Sequence, residues 1–557
     1  MPRVRLRLLA AILAVSLSFV LAIHFAKAQH TGIDTFAITN ARVVPVSGAV
    51  IERGAVVIRN GLIVAVGPSV TPPPDARVID GTGLTVYPGL IDSYTNLALP
   101  EASPSPSAGG GGGGGFFLQQ QATPRSGGPN STQPAGLQPE TMVEDIIRTG
   151  GSDVENARNA GFTTALTLPR TGIWIGQSAL IDLAGDSPQQ MIVKSPVAMH
   201  VGFTPLRGSY PGSLMGVFAT LRQMMLDAQR YRDSMKIYES SPRGVRRPET
   251  DRSLEALIPV IEGKMPVVML ANTEREITRA LDLATEFKLK LIIAGGREAA
   301  QVTDRLLKQD VPVLLSLNLP RRTTAAMPEA DPEPMRVLRE RVEAQQTAGK
   351  LAKAKVRFAF QSGSLPNASD IMVNAGRTIE NGLSTEDALR AFTIWPAEIL
   401  GVANQLGSIE VGKIANLMVT RGDLFDRNSR ITNVFIDGRP VDLRPAQASG
   451  GPGVGRTTLT GAWSLNVNLG EVKTISLNLR QEGERLSGSI QGALGSAEIS
   501  NASIAGNDIR FTVVLNLEGQ TKEGSFVGAL AGDDIRGSVT MEGHAPGTFT
   551  ATRIIPN

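Results

Sequence analysis

Between residues 150 and 400, short apolar runs alternate with stretches of helical period. The strand-like runs are Thr163–Leu168, Ala179–Leu183, Val267–Leu270, Leu289–Ile293, Pro312–Leu317 and Val356–Phe360. The helical stretches include Asp153–Ala160, Leu214–Tyr231, Arg252–Ile261, Glu274–Phe287, Glu298–Lys308, Met335–Ala348 and Thr385–Phe392. A strand covered on both faces reads as a continuous apolar run, and a helix that covers it carries one apolar stripe. Repetition of the pair implies a parallel sheet with helices outside. Periodicity leaves an open sheet and a closed (β/α)8 barrel both standing, although the number of repeats fits the barrel better. Ser384-x-x-Asp387 reads as a helix start, a capping box with Asp in the place of the usual Glu.

One stretch leads into this array: Val86-Tyr-Pro-Gly-Leu-Ile-Asp-Ser-Tyr-Thr-Asn96. An apolar run ends in Pro88-Gly89, Leu90 and Ile91 restart a short buried strand, and polar residues follow. A strand of this kind delivers side chains to a site at its C-terminal end. Upstream, residues 34–87 alternate strand-like runs with Gly and Asn turns. Asn60-Gly61 between two apolar runs is a hairpin signal, because both residues tolerate positive φ.

These phrases resemble the amidohydrolase superfamily. Pro-Gly-Leu-Ile-Asp at 88–92 is similar to its first barrel strand, and Asn156–Thr164 to the helix and strand that follow. Thr393–Ala397, Leu406–Lys413, Ala415–Leu417 and Val434–Arg439 are similar to its closing phrases. The likeness covers about residues 34–445 and is closest to imidazolonepropionase-like members. It implies an α/β fold: a TIM-type (β/α)8 barrel over 88–400, with a composite β-sandwich domain from both flanks, 34–87 and 401–445. Family members commonly have Asp where this chain has Ile414 and Asn416.

Three segments lie outside that plan. Residues 1–28 read as a signal peptide: Arg3, Arg5 and Arg7, an apolar run from Leu8 to Ile23, then Ala26-Lys-Ala28 as the cleavage site. Residues 100–140 form a low-complexity insertion with an unbroken Gly109–Gly115 run, either a surface loop or a lid carrying Phe116 and Phe117. After a linker at 446–457, residues 458–557 alternate short strands with Gly-rich turns, which implies an antiparallel β-sandwich or small closed barrel, similar to calycin-like domains.

The signal segment holds Arg3, Arg5, Arg7 and Lys27. The remainder therefore has 51 basic and 52 acidic residues, a net charge near −1, and charge gives no reason to expect nucleic acid. With no Cys, disulfides, thiolate metal sites and a Cys nucleophile are excluded. The expected address is exported, periplasmic or extracellular, with membrane contact only through the signal segment if it is uncleaved.

The resemblance also says what chemistry belongs at the barrel mouth. Its metal-dependent members hold zinc or another divalent ion with His-x-His on the first strand, one His on each of two middle strands and Asp on the last. Such an ion lowers the pKa of bound water toward ~7 so that hydroxide can attack. Carried across, the first pair falls on Tyr94 and Asn96, the third ligand on Leu270, the fourth on Gly295 and the Asp on Gly363. None is a ligand of that kind. The chain has four His, and His200 is the one between residues 88 and 400. Neither metal nor other cofactor is therefore expected. Tyr94, Asn96, Leu270, Asn272, Gly295, Gln361, Ser362 and Gly363 remain as a vestigial ligand-binding site.

Other clusters carry less. His200 with Ser93, Ser362 or Ser364 makes a Ser-His arrangement on paper, without a Gly-x-Ser-x-Gly elbow. Asp92 reads as structural. Gly172–Ser178 resembles a family turn phrase, and the charged run Arg243–Arg252 a solvated loop.

The function expected is that of an exported amidohydrolase-family protein, non-catalytic for metal-dependent hydrolysis, which binds a small molecule or a catalytic paralogue, with an oligomer left open. The alternatives are a hydrolase of peptide or non-peptide C–N bonds using an atypical site, and an envelope-associated module driven by the C-terminal β-unit.

Overall fold

In this computed structural model the described residues are 35–100, 133–134, 136–206, 210–320, 333–363, 365, 369–426 and 428–443, and then 459–554 apart from 469–471, 483–484, 493–494, 506–507, 518–519, 532–533 and 542–546. The signal segment, Gly109–Gly115, Phe116, Phe117, Ser364 and the linker fall outside them. The chain divides into two compact units, Met1–Arg444 and Pro445–Asn557.

The first unit opens with a β-sheet assembled from both ends of its sequence. Strands β1 (Thr35–Val43), β2 (Ile51–Arg59), β3 (Leu62–Gly67), β4 (Arg77–Asp80) and β5 (Thr85–Pro88) come from the front. Closer to the end of the unit, β16 (Leu417–Arg421), β17 (Arg430–Ile436) and β18 (Arg439–Val441) complete the order β18-β17-β16-β5-β1-β2-β3, with β4 on β1. Asn60 (φ 52°) and Gly61 (φ 81°) make the β2–β3 turn, as the Asn-Gly pair predicts.

The barrel strands are β6 (Leu90–Thr95), β7 (Phe162–Thr167), β8 (Trp174–Gln177), β9 (Ala179–Asp182), β11 (Met199–Gly202), β12 (Val267–Ala271), β13 (Leu291–Gly295), β14 (Val313–Ser316) and β15 (Phe358–Gln361); β10 (Ile192–Lys194) is a short edge strand on β9. β6 and β7 pair in parallel, as do β11 through β15. The place between β7 and β11 departs from the simple β-then-α reading. There β9 runs antiparallel to β7 and β8 antiparallel to β11, with Ser178 between them. Ala179–Leu183 is thus a reversed strand, and Trp174–Gln177 is a strand where the sequence reads as a turn phrase. Gly176 at φ 117° supplies the local freedom, and Trp174 is fully buried.

Alternation along each barrel strand sorts the core. Ile91, Leu166, Ala198, Val268, Ile292, Leu314 and Ala359 pack together inside the barrel. Their neighbours Leu90, Met199, Val267, Ile293, Val313 and Phe358 face the helices. Helix Glu274–Phe287 begins with a capping box, Thr273 with Glu276, and helix Thr385–Phe392 with the Ser384 hydroxyl accepting from Asp387 N at 3.0 Å. The segment expected to be low-complexity as far as 140 already carries packed chain at its end: Leu137 is buried and bridges to Trp174.

Two polar stitches hold this unit together. Between β6 and β15 side chains bridge the seam: Ser93 Oγ donates to Phe360 O at 2.7 Å, and Ser362 N donates to Asp92 Oδ1 at 3.0 Å. Beneath the barrel, Asn416 Nδ2 donates to Asp182 Oδ1 at 2.7 Å and Thr164 Oγ1 donates to it at 3.0 Å, while Asp437 N donates to Asn416 Oδ1 at 2.7 Å. Asn at 416 is what this arrangement requires, since its amide nitrogen donates to Asp182 and Thr164 while its oxygen accepts from Asp437 N.

The C-terminal unit is a closed antiparallel barrel of eight strands in sequential order, β19 (Gly461–Asn468), β20 (Val472–Glu482), β21 (Arg485–Gly492), β22 (Gly495–Ala505), β23 (Asp508–Leu517), β24 (Gln520–Ala531), β25 (Asp534–Met541) and β26 (Gly547–Arg553), with β26 returning to β19. Its interior is filled by Trp463, Phe511, Phe526 and Phe549; the Phe511 and Phe526 rings stack at 4.8 Å. Closure removes the exposed strand edges of an open sheet.

The two stitches give a pH signature. Burial raises Asp182 to about 7 against the lowering effect of its Asn416 and Thr164 hydrogen bonds, with Asp437 adding to the rise, and burial raises Asp92 to about 6. An Asp in the unfolded chain titrates near ~3.9, so the stability tied to these protonated carboxyls is complete below about pH 4 and is lost as pH rises through 6 and 7. Thermal melts from pH 4 to 8 are expected to show this decline, and Asp182→Asn to flatten its upper part; an unaltered slope in that variant refutes the assignment. Asp92→Ala leaves the half-buried Ser362 amide without its acceptor and is expected to cost roughly 1–3 kcal/mol in urea unfolding, whereas Asp92→Asn costs about 1 kcal/mol or less. Equal losses in the two would show that the seam does not depend on an acceptor at 92.

Candidate functional site

The C-terminal ends of β6, β12, β13, β14 and β15 converge on a cavity of about 210 Å3. Six of the eight residues singled out in the sequence line it: Tyr94, Leu270, Asn272, Gly295, Gln361 and Gly363. Asn96 is turned aside, its Nδ2 donating to Leu168 O at 2.7 Å beyond the end of β7. Ser362 lies in the β6–β15 seam, with its amide on Asp92.

Each wall follows from strand geometry. Leu314 faces the barrel interior, so Ser316, two residues on, points the same way at the strand end. Ser316, Asn318 and Arg297 line the cavity and were not among the residues picked from sequence. The signal for Ser316 was present, a polar residue inside the apolar run Pro312–Leu317. Arg297 follows Gly295-Gly296 and is paired with Glu340 at 2.6 Å.

Tyr94 takes the place where the resemblance puts the first His ligand. Its ring lies 5.6 Å from that of His200, tilted by 58°, and burial pushes its phenol above the usual range. His200 is fully buried on β11. Burial drives its pKa down to about 3, so the imidazole is neutral, and neither ring nitrogen has a hydrogen-bond partner among the described residues. No Ser-His pair forms among the described residues: Ser93 Oγ is committed to Phe360 O. Asp92, although its pKa lies near neutrality, is occupied in the seam and does not line the cavity.

A divalent cation does not fit this lining. The side chains facing the cavity offer a phenol, two Asn amides, a Gln amide and a Ser hydroxyl, with Arg297 as the charged group. Imidazole or carboxylate is what holds zinc-type ions. Among the described residues no group of three His, Cys, Asp or Glu is placed to hold a metal ion.

With that geometry in place, comparison with known proteins identifies the scaffold. Residues 336–441 match the Amidohydrolase family. The imidazolonepropionase of Symbiobacterium thermophilum is 24% identical over 406 residues, 67% of this chain and 84% of that protein. Dihydropyrimidinase 1 of Caenorhabditis elegans is 46% identical over 48 residues, 9% of this chain and 10% of that one. The crystal structure of an amidohydrolase from Thermotoga maritima MSB8 superposes with a TM-score of 0.61 at 25% identity, covering 73% of this chain and all of that one. With its barrel, its composite β-sheet and these likenesses, the chain belongs to the amidohydrolase superfamily.

Proposed function

We propose that this amidohydrolase-family protein is non-catalytic for metal-dependent hydrolysis and uses the cavity at the barrel mouth to bind a small molecule. One observation carries the reading. At the metal-ligand positions stand Tyr94, Asn96, Leu270, Gly295 and Gly363, yet the cavity at that place persists and is lined by neutral hydrogen-bonding groups and by Arg297, which is paired with Glu340. Hydroxide generation needs a Lewis acid or a general base poised near neutral pH. Tyr94 is held above that range and His200 well below it. The Asp92 carboxyl, which does titrate near neutrality, is buried in the seam. Binding is the function that remains for such a lining, and docking on a catalytic paralogue is the second form it takes.

Metal content by mass spectrometry, before and after dialysis against Zn2+, tests the first part. The expected result is less than about a tenth of an equivalent with no thermal shift on adding metal. A stoichiometric ion that survives dialysis against buffer would sink the reading and reopen hydrolysis of C–N bonds by an atypical site.

The residues ahead of β1 support export as part of the same proposal. Amino-terminal sequencing of protein from the native host is expected to begin at Gln29. Recovery of an intact Met1–Arg7 start from that material would refute processing.

A further inference from the structure

The hydrogen-bonding capacity of the cavity is lopsided. Gln361 is 1% exposed; its Nε2 donates to Leu314 O at 3.1 Å, while its Oε1 has no partner among the described residues. Beside it, Ser316 Oγ accepts from Asn318 N at 3.2 Å. Gly363 stands where both oxygens point. A Cβ at 363 would lie 3.0 Å from Gln361 Oε1 and 3.1 Å from Ser316 Oγ. On another wall a Cβ at Gly295 would sit 2.5 Å from Asn272 Oδ1. Both glycines have positive φ, 55° and 91°, so a side chain is disfavoured there on backbone grounds as well. The two positions where the family resemblance places a His and an Asp thus leave side-chain oxygens facing glycines, and of these Gln361 Oε1 is the buried one without a partner among the described residues.

Charge is balanced around these oxygens. Arg297 is held by Glu340, and His200, behind Tyr94, is neutral. Among the described residues an anion would find no free cation in the lining and an ammonium no carboxylate, and an unpaired charge of either sign is penalised on burial. A buried acceptor left without a donor is itself costly, which favours an occupant that supplies one.

We propose that the cavity takes a small uncharged molecule that enters with a hydroxyl or N–H group first, donating to Gln361 Oε1 beside the Ser316 hydroxyl. This rests on the cavity being a ligand site, as argued above. The donor requirement is specific to this lining: a metal-ligand set would call for electron-pair donors on the protein and an oxygen or nitrogen acceptor on the ligand.

A matched series on one skeleton tests it: cyclohexylmethanol, its isosteric fluoromethyl analogue, cyclohexanecarboxylate and cyclohexylmethylammonium, titrated by ligand-observed NMR into the full mature chain. The alcohol is expected to bind about tenfold more tightly than the fluoro analogue, the worth of one hydrogen bond to a buried acceptor, and more tightly than either ion. Gln361→Met, close in volume and without the acceptor, is expected to erase that preference. Ser316→Ala, a second variant should the first fail to fold, is expected to reduce it. Equal binding of the fluoro analogue or of an ion, or a preference that survives both substitutions, overturns the donor rule while leaving a ligand site in place. Failure of every member to bind the unmodified protein overturns the ligand site itself.

Discussion

The barrel closes on two side chains. Between β6 and β15 the join runs through Asp92 and Ser93, which reach across to the Ser362 amide and the Phe360 carbonyl. Everything at the barrel mouth depends on that seam, because it sets where Tyr94 and Gln361 stand relative to each other. It also explains the phrase that opens the barrel. Gly89 passes so close to Thr163 that a Cβ would lie 2.2 Å from its hydroxyl, Leu90 faces the helices, Ile91 faces the interior, and Asp92 makes the seam. Each residue of Pro-Gly-Leu-Ile-Asp from 89 onward thus has a structural task that no metal enters. The motif can stand intact in a chain that has Tyr94 and Asn96 where the resemblance places the first two His ligands.

How far the sequence disclosed this fold follows from which physical signals are local. Strand and helix positions were legible because burial imprints a period on the chain, and the alternation read across 458–557 corresponds to eight antiparallel strands. Direction is not imprinted. Ala179–Leu183 has the same apolar run as a parallel strand, and only pairing with β7 shows that it runs the other way. Trp174–Gln177 escaped because its two glycine neighbours, Gly172 and Gly176, read as turn punctuation while they serve a strand packed under a buried Trp. The role of Asn416 was legible only as a departure from the family's Asp. Its partner Asp182 lies more than 200 residues away, and no local pattern connects them.

The site divides in the same way. The positions that line the cavity could be located because they are strand ends, fixed by register. Ser316 and Arg297 were missed because they carry no ligand role in the family. What could not be read is how each polar group is already engaged. Asn96 looked like a lining residue, but a single bond to Leu168 O removes it. Gln361 looked like any polar residue, but its amide nitrogen is tied to the strand and its oxygen is left over.

That division of labour within one amide bears on what the barrel mouth can recognise. A metal site concentrates charge, and its protein groups present lone pairs to a cation. Here the comparable oxygens belong to neutral groups, and the nearby imidazole is stripped of its proton by burial rather than by coordination. With His200 shut behind Tyr94 and Arg297 matched by Glu340, the local field is weak, so discrimination has to come from hydrogen-bond direction and shape. A ligand site of the kind proposed rejects by leaving groups unpaired, above all at the buried Gln361 oxygen, which has no partner among the described residues.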